Sequence, residues 1–400
     1  FLMLPLLTRF LNPAQYGMVE TFEMLVMFAA PLIGLSASGA ITREYYEPEK
    51  TNLPVFISQC FNIMFLSLFI TAVLFYFFSG SISRLTGFES SWLWTVLSVA
   101  AGEFIFLTQL ALWQVEKKEI KYGIFQILHT VLNLALSVIF VVIMLWGWQG
   151  RILGRTAATV FFGLLAIIIL FYRKNLCFSF KREYIKKALV FGLPLIPTAY
   201  AAWALNMIDV FFLNNLSGIA ATGIYRVGYK IAMIITLIEV SFNTAWTPWL
   251  FEKLKNNQLS DKIKIIRITY IYIFIIFSGA ISLALTAPFF MKYLVGEQFQ
   301  QAGDYIFCIA LSKAFTAVYF MTCNYIFFSR KTVWLTAAVF LSACVHTAAS
   351  WLMINRYGAQ GAGWANLVSQ AVLAVATFVF AAKIFPMPWI SALRFKEKPV

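Results

Sequence analysis

The sequence predicts an all-α polytopic membrane protein with twelve transmembrane helices. These form two six-helix lobes related by a pseudo-twofold axis along the membrane normal. Three observations predict it. Of 400 residues, 61% are hydrophobic and 12% charged, with mean hydropathy +0.80, which lies outside the range of soluble domains. Lysines and arginines pile up in every second gap between the apolar stretches. Short motifs recur about half a chain apart.

A membrane span needs about twenty mostly apolar residues. After an apolar start at 1–7, which reads as the outer end of a first helix, spans are expected at 18–41, 54–79, 91–114, 122–146 and 152–172. The second half offers 188–213, 223–250, 264–288, 303–328, 332–354 and 362–385. Basic clusters fall at Arg43–Lys50, Lys117–Lys121, Arg173–Lys187, Lys253–Arg267, Arg330–Lys331 and Lys383–Lys398. The other gaps carry single cations (Arg9, Arg84, Arg151, Lys292, Arg356) or none. Short loops rich in Lys and Arg stay cytoplasmic, so both termini are assigned there, the basic tail Arg394–Lys398 included. The expected organisation is an N-terminal lobe at 1–172, a basic cytoplasmic linker at 173–187, a C-terminal lobe at 188–385 and a cytoplasmic tail at 386–400. Leu176, Phe178, Phe180, Tyr184 and Ile185 stand among the linker's charges, a pattern suited to lying along headgroups.

The repeat is carried by Gly147-Trp-Gln-Gly150 against Gly358-Ala-Gln-Gly361, and by the stretch ending at Gly17 against the one ending at Gly223. Six helices per half is an even number, so the copies share orientation, the arrangement of parallel repeats around a central cavity.

A charge inside the membrane costs several kcal/mol unless paired or hydrated. The cations so placed are Arg155, Arg226, Lys230 and Lys313; the acids are Glu20, Glu23, Glu103, Asp209 and Glu239. Arg226 and Lys230 share one helix face, four residues apart, with Tyr225 and Tyr229 alongside. The repeat offset pairs Glu20 with Arg226 and Glu103 with Lys313, acids in one half matching bases in the other. One reading makes Glu20/Glu23 and Arg226/Lys230 an outer gate. Another has Asp209 simply neutralise Arg226 across a short hairpin, and Arg155 snorkel to headgroups. Lys313, mid-span, suits a cavity wall, and a cationic cavity suits an anionic substrate such as a phosphate. Asp209 and Glu239 are candidates for binding a coupling proton or Na⁺. Prolines 31, 194, 197 and 248 allow bends.

Other chemistry is poorly represented. The net charge of +14 sits beside spans rather than on a soluble basic face, which argues against nucleic acid. Five cysteines without paired spacing read as packing residues, and no metal or cofactor set is expected. His129 and His346 stand alone in separate helices. Neither Gly34–Gly39 nor Gly358–Gly363 follows a strand, so neither is a phosphate loop. Paired acids or a large external loop for sugar chemistry are missing, so an enzyme is the weaker reading.

Several stretches resemble polysaccharide (O-antigen type) flippases: Leu4–Gly17, Gly34–Tyr46, Phe191-Gly-Leu-Pro-Leu-Ile-Pro197 with Asp209, Gly223-Ile-Tyr225, and Ala245-Trp-Thr-Pro-Trp249. Their order and spacing carry the resemblance to about residue 385. These proteins belong to the multidrug/oligosaccharidyl-lipid/polysaccharide exporter superfamily, with the MATE drug exporters and lipid II flippases. The resemblance implies a MATE-like fold and alternating access driven by an ion gradient or the membrane potential. It implies a bacterial inner-membrane protein, working as a monomer among membrane lipids. Its substrate would be an undecaprenyl-diphosphate-linked oligosaccharide, its partners a polysaccharide polymerase or assembly proteins. Arg43 matches the Ala-Ile-Thr-Arg stretch, and either meets the diphosphate first or makes a plain headgroup contact. With Arg155, Arg226, Lys230 and Lys313 it completes the candidate diphosphate-binding set. The alternatives are a cation-coupled multidrug exporter of the same fold and a lipid II-type flippase.

Overall fold

The computed structural model describes residues 3–47, 51–177, 179–256 and 258–389. Lys50, Phe178 and the tail Arg394–Lys398 lie outside the described residues. The regular structure among them is helical: α1 (Met3–Phe10), α2 (Pro13–Ala29), α3 (Ser38–Glu44), α4 (Leu53–Phe77), α5 (Ser79–Thr86), α6 (Leu93–Val115), α7 (Glu119–Val138) and α8 (Gly147–Tyr172). There follow α9 (Arg182–Gly192), α10 (Ile196–Leu216), α11 (Ile219–Asn256), α12 (Leu259–Leu294), α13 (Gly303–Phe328), α14 (Thr332–Tyr357) and α15 (Ala359–Ile384). Ten helical segments among the described residues are long and apolar enough to cross a membrane. Of the twelve expected spans, α1 with 8 residues and α2 with 17 fall short of that length.

The expected continuous span at 18–41 is broken. After α2 the backbone turns through positive φ at Gly34 (+81°), Leu35 (+49°) and Ser36 (+56°), then re-enters a helix as α3. Pro31 cannot continue the hydrogen-bond ladder, and a Cβ on Gly34 would lie 2.3 Å from the Phe104 ring. Irregular backbone at membrane depth needs internal partners. Here the Gly34 amide donates to Ser67 Oγ at 2.8 Å. Arg43, expected at the inner end of one long helix, therefore sits in the last turn of a separate short one.

Contacts divide the chain into two compact units. The first spans Leu6–Trp203 with Gly218–Gly223; the second is built from Ala204–Ser217 and the helices from Ile224 onward.

In the first unit, α2 begins at a capping box. Asn12 Oδ1 accepts from the Gln15 amide at 2.9 Å, Gln15 Oε1 accepts from the Asn12 amide at 3.2 Å, and Pro13 opens the helix. Small residues let the helices approach. A Cβ on Gly154 would lie 2.8 Å from the Ser137 amide nitrogen of α7, and one on Gly102 would lie 3.0 Å from Thr159 of α8. Two expected loop features are structured. The segment after α8 is tacked to α4, where Ser58 Oγ accepts from the Cys177 amide at 2.8 Å and Gln59 Nε2 donates to the Ser179 carbonyl. Residues 182–187, expected as linker, are the start of α9. There Tyr184 OH accepts from the Asn52 amide at 3.0 Å.

Lys187 of α9 pairs with Glu44 of α3 and donates to Thr51 Oγ1 at 2.8 Å, while Thr51 Oγ1 donates to Glu44 at 2.7 Å. Burial pushes the Glu44 carboxyl up, but the hydrogen bonds and charge of Lys187, with Thr51 and Arg43, outweigh it. The net pKa lies below the ordinary 4.5. A depressed folded-state value stabilises the fold above the unfolded value and is lost as pH falls through the folded one. Apparent thermal stability should therefore begin to fall as pH drops below about 4.5, and Glu44→Gln should flatten that part of the profile. An unchanged profile in Glu44→Gln would show that the pair contributes nothing there.

In the second unit, α11 runs 38 residues and α12 36 residues, roughly 54–57 Å at 1.5 Å per residue against a hydrocarbon core of about 30 Å. Both extend beyond the core, and their turn is closed by Lys253 Nζ on Asp261 at 3.3 Å. Pro248 sits inside α11 without ending it.

The internal repeat has a structural counterpart. Gly147 and Gly358 open α8 and α15 with φ +58° and +57°. Three residues on, Gly150 packs against Phe140 and Gly361 against Met353, where a Cβ would meet backbone at 2.9 and 2.1 Å. The second motif pair makes a reciprocal contact. A Cβ on Gly17 would lie 2.0 Å from the Ile219 carbonyl oxygen, and one on Gly223 would lie 2.0 Å from that of Pro13.

Candidate functional site

The intramembrane charges gather into one cluster in each unit. In the first, α8 presents Arg155 to α2 and α6. Its Nη1 pairs with Glu23, its Nη2 lies 2.8 Å from Glu103 Oε1, and its guanidinium sits 5.8 Å from the Phe22 ring centre. Arg155 thus turns to two carboxylates instead of snorkelling to headgroups. One turn earlier, Arg151 is not a loop cation. It reaches across the close α7–α8 crossing to Asn133 Oδ1 at 2.7 Å and Ser137 Oγ at 2.9 Å. Glu20, 2% exposed, lies near enough for its charge to act on both arginines. His129 packs at 4.6 Å and 36° against the Phe106 ring, with Nε2 3.4 Å from Thr159 Oγ1.

In the second unit the organising residue is Tyr229. Lys313 of α13 donates to its hydroxyl at 2.8 Å and lies 4.3 Å from its ring centre. Arg226, one turn earlier on α11, places its guanidinium 4.3 Å from the same ring and donates to the Asn206 carbonyl of α10 at 3.3 Å. Cation–π contacts of this kind contribute roughly 0.5–2 kcal/mol, more when water is excluded. Gly228 makes the approach possible, since a Cβ there would lie 2.7 Å from the Ala302 carbonyl oxygen. Lys230, next along α11, is half-buried.

Two acids of this unit are fully buried. Asp209 accepts from the Val210 amide at 2.9 Å through Oδ1, while Oδ2 has no partner within hydrogen-bond distance among the described residues, with Tyr225 in electrostatic reach. Among the described residues Glu239 has none at either oxygen, with Tyr272 and Lys313 within electrostatic reach. His346 is buried against Ser369 Oγ, 3.0 Å from Nδ1.

The structure therefore brings together Glu23, Glu103 and Arg155 in one unit, and Arg226, Lys313 and Tyr229 in the other. Arg43 belongs to neither cluster; it lines a cavity of about 580 Å³ with Lys186 and Lys187 of α9. Sequence reasoning missed the roles of Tyr229, Arg151 and α9. The Arg226–Tyr229 spacing of one turn was the available signal for the first.

The all-helical fold fits the comparisons with known proteins. A family model described as "Polysaccharide biosynthesis protein" matches residues 1–254, well over half of the chain. The chain belongs to that family. This family member is 25% identical over 370 residues to an uncharacterized membrane protein of Haemophilus influenzae, covering 87% of this chain and 84% of the relative. In fold it is similar to an inward-facing multidrug resistance MATE family transporter of the MOP superfamily. That match has TM-score 0.69 and 16% identity, and covers 98% and 94% of the two chains. It is also similar to the lipid II flippase MurJ in an inward closed conformation, with TM-score 0.74, 12% identity and coverage of 94% and 85%. The polysaccharide biosynthesis family member is a multi-pass membrane protein with a MATE-like fold.

Proposed function

We propose that the chain is a flippase that moves an undecaprenyl-diphosphate-linked oligosaccharide from the cytoplasmic to the outer leaflet by alternating access. It would reside in a bacterial inner membrane with both termini and the basic loops in the cytoplasm, as the alternation of Lys/Arg-rich gaps supports. The observation that carries the reading is the Arg226–Tyr229–Lys313 arrangement. Guanidinium and ammonium groups held on one tyrosine inside the membrane match a diphosphate by charge-assisted hydrogen bonds. They oppose a lipophilic cation, which disfavours drug export. Glu239, buried with both oxygens unpartnered, is suited to take up the coupling ion.

Binding to the purified full chain tests the reading. Undecaprenyl-diphosphate oligosaccharide should bind, and Arg226→Ala/Lys313→Ala should weaken it by at least about tenfold, the scale of one lost charge-assisted hydrogen bond. Tight binding of a lipophilic cation with no measurable affinity for the diphosphate lipid would move the assignment to drug export.

A further inference from the structure

The helix α9 has a polarity gradient along its length that nothing in the transport reading uses. Arg182 and Lys186 are four residues apart at its start and so share a face. Ile185, Leu189, Val190 and Leu193 continue along the same groove, a cavity of about 550 Å³. Val190 is 66% exposed and Leu193 47%, so the strip is open along its outer side. From Arg182 to Leu193 the helix rises about 16 Å, close to the roughly 15 Å half-thickness of a hydrocarbon core. A groove with cations at one end and aliphatic side chains over one leaflet's depth has the pattern of a lipid, not of a soluble anion.

The neighbouring face is already satisfied. Lys187 pairs with Glu44, and Glu183 lies one helical turn from Lys187 on that same side. The second cavity, lined by Arg43 and Lys186, opens beside the first, so a third cation stands near the same headgroup position.

We infer that α9 seats one anionic phospholipid of the cytoplasmic leaflet, with its phosphate at Arg182 and Lys186 and an acyl chain along Ile185, Leu189 and Leu193. The inference rests on the orientation assigned above, not on the transported substrate. The bound lipid would hold α9 against the membrane where α9 meets α3 and α4.

Native mass spectrometry of the full-length protein tests it, with phosphatidylglycerol and phosphatidylcholine of matched chains as probes. Wild type should retain one phosphatidylglycerol in preference to phosphatidylcholine. Arg182→Ala/Lys186→Ala should reduce that retention about thirtyfold, roughly fivefold for each juxtamembrane cation removed. The control Lys121→Ala/Lys331→Ala, in basic gaps elsewhere, should leave it unchanged. If the alanine pair fails to fold, Arg182→Gln/Lys186→Gln carries the same test. Equal retention of both lipids, or full retention by the double variant, overturns the inference. So does displacement of phosphatidylglycerol by equimolar undecaprenyl diphosphate, which would give the groove to the substrate instead.

Discussion

Arg155→Ala is expected to cost the first unit about 2–3 kcal/mol, the largest loss from removing any one of its charges. Its two nitrogens serve Glu23 and Glu103, whose side chains are only 17% and 32% exposed. Removing one member of a buried ion cluster costs about 3–5 kcal/mol, because the partners remain desolvated and unpaired. The partial exposure of Glu103 reduces that figure. The triple variant Arg155→Met/Glu23→Gln/Glu103→Gln removes the charges together and should recover most of the loss. Thermal unfolding of the detergent-solubilised protein, followed by tryptophan fluorescence, reads both. An Arg155→Ala midpoint equal to wild type would mean that water, not the arginine, satisfies the two carboxylates.

Gly17→Ala and Gly223→Ala should each destabilise by about 3 kcal/mol, the upper part of the usual overpacking range. The added methyl in each case lies 2.0 Å from a backbone oxygen, which cannot rotate away as a side chain would. Folded protein recovered after solubilisation should drop sharply in both. The matched controls are Gly80→Ala and Gly279→Ala, where nothing lies within 4 Å of the new Cβ, and alanine's better helix propensity makes them neutral or slightly stabilising. If all four behave alike, the reciprocal contact carries no special weight.

Much of the fold was legible because the membrane imposes simple rules on sequence. Span length and the twin Gly-x-x-Gly motifs placed most helices within a few residues. Pro31 allowed for a bend, but the full break at residues 30–37 was not legible, since a hydropathy window averages over Pro31 and Gly34 and registers only an apolar stretch. The extension of the seventh span back to Arg182 was hidden for the opposite reason. Its charges read as loop, although Arg182/Lys186 and Ile185/Leu189 carry helical spacing. Of the candidate site, the charged residues could be found by their cost in the membrane, but their partners could not. Glu103 meets Arg155 across the close α6–α8 crossing at Gly102, and Glu23 reaches the same guanidinium from α2. Tyr229 is one tyrosine among 17, distinguished only by the cations that the fold brings to its ring and hydroxyl.

The central claim is that Lys313, held on Tyr229, serves an anionic lipid-linked substrate. It is tested most directly by leaflet translocation of a fluorescent undecaprenyl-diphosphate oligosaccharide in proteoliposomes, comparing wild type with Lys313→Ala. Wild type should move the label to the opposite leaflet, and correctly folded Lys313→Ala should do so at least about tenfold more slowly, the effect of one charge-assisted hydrogen bond. Equal rates in the two proteins would make Lys313 a structural cation and contradict the account.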